Sequence, residues 1–154
     1  MSLPDLHSSI RVCQNIPVQA IAATTTVTGE SHPVAEKQYI HLRDCYNAYL
    51  VVSCGDIASA IQVKLQHCDD ISGARPTWID VSGATDVILA SEDNSLHIYQ
   101  INLRGREDGP YYRASLYVGG GAGASTVGAT FLAAWPKDNL LGGDLAMTAI
   151  DATW

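Results

Sequence analysis

The fold is decided by the segment Ile61-Gln62-Val63-Lys64-Leu65-Gln66, in which apolar and polar residues alternate without exception. Successive side chains of a β-strand point to opposite faces of the sheet, so this period of two predicts a strand with one buried and one wet face. Asp69 and Asp70 follow, and we expect them to end the strand and to accept backbone N–H groups. The segment therefore predicts a half-buried β-strand.

The same alternation recurs nearer the C-terminus. Residues 99–103 and 112–118 each alternate apolar with more polar side chains. Glycines 119–121 then predict a turn, after which residues 125–135 predict a long returning strand of small residues. These segments extend the pattern of half-buried strands joined by turns.

The first half of the chain has similar signals. Residues 18–28 contain three consecutive threonines and favour a strand, residues 48–54 form a short apolar run, and residues 77–81 surround Trp78. The single helical alternative, residues 140–150, is interrupted near its start by Gly142 and Gly143. Short strands at regular spacing predict an all-β protein, an antiparallel β-sandwich that is jelly-roll-like.

Composition narrows the class of function. The 154 residues are enough for one domain with its own core, and 47 % are hydrophobic while only 16 % are charged. Nine basic against 16 acidic residues give a net charge of −7, which disfavours nucleic acid as a partner because phosphate binding needs Lys and Arg. The first ten residues do not resemble a signal peptide, and no apolar run approaches the roughly 20 residues of a membrane span. We therefore expect a soluble protein made in the cytoplasm, with no membrane partner.

The sequence offers no metal or cofactor site. Cys13, Cys45, Cys54 and Cys68 include no C-x-x-C pair, and His67 and Cys68 would point to opposite faces of a strand. We predict four free, partly buried thiols that act as small hydrophobes.

Catalytic patterns are also missing. There is no G-x-S-x-G motif, and the glycine-rich residues 119–123 lack the Gly-Lys-Ser/Thr of a phosphate loop. Residues 92–94 lack EF-hand spacing and predict a solvated turn. The five histidines are scattered over separate segments. We predict that the chain is not an enzyme and has no catalytic, cofactor-binding or metal-binding residues.

The two ends differ from the middle in having no clear period. We predict an N-terminal arm over residues 1–15, a sandwich domain over 16–137 and a C-terminal tail over 138–154. Such ends order when they lie across a neighbouring molecule. The residues predicted to be buried in such an interface are apolar: Leu3, Leu6, Ile10, Ile150 and Trp154.

The order of several motifs resembles small structural proteins of tailed-phage virions. The opening motifs are Val18-Gln19-Ala20-Ile21-Ala22-Ala23-Thr24-Thr25-Thr26, Leu42-Arg43-Asp44-Cys45-Tyr46-Asn47-Ala48 and Gly55-Asp56-Ile57. The central one is Val63-Lys64-Leu65-Gln66-His67-Cys68-Asp69-Asp70 leading to Trp78-Ile79-Asp80-Val81. The last is Tyr111-Tyr112-Arg113-Ala114-Ser115-Leu116-Tyr117-Val118-Gly119-Gly120, which is similar to an "Arg-Tyr-x-Arg" strand but lacks its first Arg. The resemblance covers residues 18–135.

The resemblance implies a capsid decoration or cement protein that binds the outer surface of the head. Its expected partners are the major capsid protein and further copies of itself, as a homotrimer or a dimer. The acidic charge favours the capsid exterior, away from packaged DNA. Two alternatives stay open: another virion component at the head–tail joint or tail surface, and a carbohydrate-binding adhesin with Tyr111, Tyr117 or Trp135 as stacking platforms.

Overall fold

The computed structural model describes residues 10–29, 39–42, 45, 47–72, 76–102, 109–121 and 123–134. Within these ranges the chain forms strands and a single 3-10 turn, Ala90–Glu92. The strands are β1 (Ile10–Ile21), β2 (Thr26–Thr28), β3 (Ile40–His41), β4 (Asn47–Cys54), β5 (Ile61–Cys68), β6 (Ile79–Ile88), β7 (Leu96–Asn102), β8 (Tyr111–Val118) and β9 (Ser125–Ala134). The predicted all-β class is confirmed.

The strands form two antiparallel sheets. The four-stranded sheet has the order β1-β9-β4-β7, and the five-stranded sheet has the order β2-β8-β5-β6 with the short β3 also paired to β8. The chain passes from one sheet to the other six times: after β1, β3, β4, β6, β7 and β8. This strand order is that of a jelly roll, so the predicted β-sandwich is confirmed together with its jelly-roll character.

The predicted alternation determines which side chains enter the core. In β5, Ile61, Val63 and Leu65 are buried, whereas Gln62 and Lys64 are partly exposed. Alternate residues of β8 face the same core. The largest buried side chains between the sheets include Tyr99, Phe131, Ile16, Ile40, Leu42, Leu50, Ile61, Ile88 and Leu116.

The predicted boundary of the N-terminal arm is wrong. Strand β1 begins at Ile10 and pairs with β9 from the Ile10–Ala134 pair onward, so residues 10–15 belong to the sandwich. The register shifts between Gln14 and Ile16 and again between Ile16 and Gln19. Each bulge adds a residue and reverses the inside–outside alternation, which hides the strand from a search for a period of two.

Two other predicted strands have different limits. Residues 18–28 do not form one strand, because β1 ends at Ile21 and Thr24 adopts a positive φ of 59° before β2 begins. The Thr24 amide donates to the Val118 carbonyl at 2.9 Å, so the threonine-rich segment forms the crossing between sheets. Strand β6 begins at Ile79, one residue after Trp78.

The predicted burial of the cysteines is confirmed. Cys45, Cys54 and Cys68 are buried, and Cys13 is partly exposed. Asp70 also behaves as predicted, since its carboxylate accepts the Ser72 amide at 2.8 Å just after β5.

Candidate docking surfaces

The interface residues predicted from the sequence lie mostly outside the described residues. Leu3, Leu6, Ile150 and Trp154 are in this group, so their proposed role stays a prediction. The exception is Ile10, whose backbone is described: it is the first residue of β1 and pairs with Ala134. The described residues contain three other features that could carry function: the outer face of each sheet, and a polar cluster between the sheets.

The outer face of the four-stranded sheet carries no charged side chain in its three central rows. We call this surface the neutral face. Strand register defines two rows, and the third is completed by Val18, which lies over Gly128. The rows are Val12, Leu132, Tyr49 and Gln100; Gln14, Thr130, Val51 and Ile98; and Val18, Gly128, Ser53 and Leu96.

Large apolar side chains are exposed at both edges of the neutral face. On β1, Val12 is 64 % and Val18 is 58 % exposed, and on β7, Leu96 is 59 % exposed. Four strands about 4.8 Å apart and three rows about 6.8 Å apart give the face an area of about 400 Å². This extent is comparable to that of the largest surface patches of soluble monomers, which often have a function.

The outer face of the five-stranded sheet is different, because it carries a connected row of charged and amide groups. Arg113 Nε donates to Gln66 Oε1 at 2.8 Å, and Gln66 Nε2 donates to Asp80 Oδ1 at 2.7 Å. Lys64 Nζ donates to the other oxygen, Asp80 Oδ2, at 2.7 Å. We call Arg113, Gln66, Asp80 and Lys64 the polar ladder. Hydrogen bonds from Lys64 first, and then Gln66, lower the pKa of Asp80, so its carboxylate is ionised at neutral pH.

An aromatic cluster lies at one end of the polar ladder. The ring centroids of Tyr39 and Tyr111 are 5.5 Å apart with an edge-on geometry, and Tyr39 is 6.3 Å from Trp78. His41 lies 5.0 Å from Tyr111. The Arg113 guanidinium stands 4.4 Å above the Trp78 ring and joins the aromatic cluster to the ladder. These four rings, Tyr39, His41, Trp78 and Tyr111, are half-buried rather than enclosed.

The third feature is a polar cluster where β6 and β7 face each other across the core. The Tyr99 hydroxyl donates to Asp86 Oδ2 at 2.9 Å and so joins the two sheets. Burial, together with the bond and the charge of Asp86, raises the pKa of Tyr99 far above its usual range. Burial also raises the pKa of the Cys54 thiol to about 11, which the nearby Glu92 charge reinforces and a Ser95 hydrogen bond opposes.

Ser95 and His97 in this cluster have the composition of a nucleophile and its base. Ser95 Oγ is 2.9 Å from His97 Nε2, but the hydroxyl donates its proton to the Glu92 carbonyl oxygen. The Glu92 carbonyl oxygen therefore competes with the imidazole for the serine proton, which a general base has to accept. These contacts of Ser95 join the 3-10 turn to the start of β7.

Two further features of the described residues concern metal binding and membrane spans. Among the described residues, no three His, Cys, Asp or Glu side chains lie close enough together to hold a metal ion. In the same part of the chain, no helix has the length and apolar character required to span a membrane.

Sequence reasoning missed both outer surfaces for identifiable reasons. Tyr49–Val52 is a continuous apolar run, so the sequence does not reveal that Tyr49 and Val51 lie on an outer face. The bulges of β1 hide Val12 and Val18. Three aromatic residues were predicted as stacking platforms for a carbohydrate. Tyr111 belongs to the aromatic cluster, whereas Tyr117 lies apart from it on the same sheet and is 37 % exposed. Trp135 is outside the described residues.

Similarity to known proteins is found among solved structures. No family model matches the sequence, and no curated protein matches it. The coat protein of Tobacco streak virus aligns over 95 % of this chain and 98 % of its own, with 10 % identity and a TM-score of 0.40. The VP2 subviral particle of infectious bursal disease virus aligns over 85 % of this chain and 43 % of its own, with 8 % identity and a TM-score of 0.26. Scores this low do not establish a shared function.

Proposed function

We propose that this chain is a non-catalytic structural protein of a virus particle, and that it binds the outer surface of the capsid as a decoration or cement protein. The observation that carries the proposal is the neutral face. A chain with a net charge of −7 presents one broad sheet surface with no charged group in its three central rows, bordered by exposed Val12, Val18 and Leu96. Such a surface suits coverage by another protein, because no charge has to be removed from water.

The assignment to a virion is supported by the sequence motifs that resemble tailed-phage structural proteins. The jelly roll is a fold that viral capsid proteins use, although lectins and cupins use it as well. The fold is therefore compatible with the assignment without deciding it. The expected partners are the major capsid protein on the neutral face and further copies of this chain, as a trimer or a dimer, beside it.

The absence of catalysis is part of the proposal. It is supported by the sequence, which lacks a G-x-S-x-G motif, and by the contact of the Ser95 hydroxyl with the Glu92 carbonyl oxygen, an acceptor that competes with His97 for the serine proton. A fluorophosphonate probe, which labels activated serines, should leave Ser95 unmodified. Stoichiometric labelling of Ser95 would contradict this part.

The test of shell binding is co-sedimentation with particles assembled without this protein. The variant Val12→Asp places a charge on the neutral face at an exposed position, where substitutions usually change stability by less than about 0.5 kcal/mol. We expect its affinity for particles to fall by at least about tenfold, since an unpaired carboxylate would be buried on binding.

The matched control is Val87→Asp, which makes the same change at a 48 % exposed position on β6 of the other sheet. It should bind particles as the unmodified protein does. Equal binding by all three proteins would overturn the role of the neutral face, and no binding by the unmodified protein would overturn capsid decoration.

A role at the head–tail joint or on the tail surface would use the same fold in fewer copies. Copy number per particle separates the two roles. A decoration protein repeats with the symmetry of the capsid lattice and should be present in hundreds of copies. A joining protein repeats around the single tail axis and should be present in about a dozen copies or fewer. Quantitative gel analysis of purified particles measures this number.

A further inference from the structure

We infer that the aromatic cluster and the adjacent polar ladder form a binding site for a neutral glycan. The inference is independent of capsid binding, because this site is on the outer face of the five-stranded sheet and the neutral face is on the opposite side of the sandwich. Both surfaces can therefore be occupied at the same time.

The rings provide the apolar part of such a site. A pyranose ring has one face made of C–H groups, which packs on aromatic side chains. The Tyr39 ring lies 6.3 Å from that of Trp78 and 5.5 Å from that of Tyr111, so residues just before β3 and β6 meet one from β8. All three residues are partly exposed, so the cluster reaches the surface of the protein.

The polar ladder provides the hydrogen-bonding part. Asp80 accepts one bond on each carboxylate oxygen, and its side chain is 47 % exposed. A carboxylate has about four acceptor positions, so Asp80 retains capacity for the paired hydroxyls of a sugar. Gln66 and Lys64 hold it in one orientation, which means that little side-chain freedom is lost when the ligand binds.

Local and overall charge favour an uncharged ligand. The ladder combines two cations, Arg113 and Lys64, with one carboxylate, Asp80, and these charges are already paired with each other or placed over Trp78. The whole chain carries −7, which repels sialylated and other acidic glycans at long range. We therefore assign the site to neutral hexose chains.

A proline-rich peptide is the main competing ligand for an exposed group of aromatic residues. Grooves for such peptides are lined with aromatic residues and receive a preformed polyproline helix. Here the rings meet at interplanar angles of 44° and 86°, and a hydrogen-bonded carboxylate lies beside them. Tilted rings next to a fixed carboxylate fit a polyhydroxylated ring better than an apolar helix.

The experiment uses the full chain on an array of neutral and sialylated oligosaccharides, followed by titration calorimetry with the strongest neutral binder. We expect binding to neutral hexose chains only. Asp80→Asn removes the charge without changing the size of an exposed side chain, and Tyr111→Ala removes one ring. Each variant should lose at least about tenfold in affinity, the equivalent of roughly 1.4 kcal/mol.

The matched control is Tyr117→Ala, an exposed tyrosine of the same strand outside the cluster. It should bind the glycan as the unmodified protein does. The inference is overturned if no neutral glycan binds, if only a proline-rich peptide binds, or if Asp80→Asn binds unchanged. Circular dichroism of each variant distinguishes loss of the site from loss of the fold.

Discussion

The side-chain oxygen of Asn15 accepts a hydrogen bond from the backbone amide of Ala114 at 2.8 Å, in the fully buried interior. Strand β8 pairs with β2 at residues 115–117 and with β3 at residues 111 and 112, which leaves Ala114 between the two short strands. Asn15, placed by the first bulge of β1, supplies the acceptor that a neighbouring strand would otherwise provide, and the Gly29 amide donates to the Ala114 carbonyl oxygen.

We predict that Asn15→Ala destabilises the fold by about 1–3 kcal/mol, because the Ala114 amide would be buried without its acceptor. Urea denaturation of the two proteins measures the difference. Gln14→Ala, at the exposed neighbouring position, is the control and should change stability by less than about 0.5 kcal/mol. Equal stabilities for all three proteins would show that Asn15 does not complete the β8 ladder.

Gly128 on β9 has no room for a side chain. A Cβ atom there would lie 2.7 Å from the Val18 backbone nitrogen and 2.8 Å from its Cα. Gly128→Ala should therefore separate β1 from β9 and cost about 1–3 kcal/mol, read from the thermal midpoint. Gly120→Ala is the control, since its nearest atom would be 3.9 Å away. An unchanged midpoint for Gly128→Ala would contradict the close contact of Val18 with this strand.

The two buried serines near the β4–β5 connection should differ in the effect that their replacement by alanine has on stability. Ser125 Oγ accepts the Ser59 amide at 3.2 Å and donates to the Ser59 carbonyl at 3.1 Å. Within the described residues, the Ser59 hydroxyl itself has no hydrogen-bond partner. Ser59→Ala should raise stability slightly or leave it unchanged, whereas Ser125→Ala should lower it by about 1–2 kcal/mol. Chemical denaturation of both variants checks the order, and a reversed order would refute it.

Stability should fall in alkaline solution because Cys54 resists ionisation in the fold. The thiol titrates near 9.0 when unperturbed and near 11 in the folded protein. A thiol whose pKa is raised in the folded state contributes to the free energy of unfolding. This contribution is complete below pH 9 and is lost as the pH rises through about 11. The pKa of Tyr99 is raised as well, so it acts in the same direction.

We predict that Cys54→Ala flattens the pH dependence of the unfolding free energy between pH 9 and 11, by about 1–2 kcal/mol across the interval. Denaturation curves at several pH values measure this slope. A variant with the slope of the unmodified protein would mean that Cys54 does not titrate with folding.

Much of the fold could be predicted because the central strands obey a simple period. In β5 and β8 one residue in two enters the core, so Ile61–Cys68 and Tyr111–Val118 were found with nearly correct limits. Strand β1 could not be found in this way, since its bulges interrupt the alternation. The sequence therefore predicts an arm over residues 1–15, whereas the structure places residues 10–15 in β1.

The candidate surfaces were less accessible to sequence reasoning because each depends on long-range register. Val12, Leu132 and Tyr49 form one row only through two strand pairings that join distant segments. Arg113 and Trp78 meet through the pairing of β8, β5 and β6, and nothing local to either residue predicts the contact. Composition did indicate low surface charge, but not that one whole face lacks charge in its central rows.

The most direct test of the central claim is the orientation of this chain in a cryo-electron microscopy map of the virus particle that contains it. We predict density on the outside of the shell, with the four-stranded sheet and its residues Val12, Val18 and Leu96 against the capsid protein. The polar ladder and the aromatic cluster should then face the solvent. A map in which the neutral face is exposed to solvent, or in which the chain is absent from the capsid surface, would contradict the account.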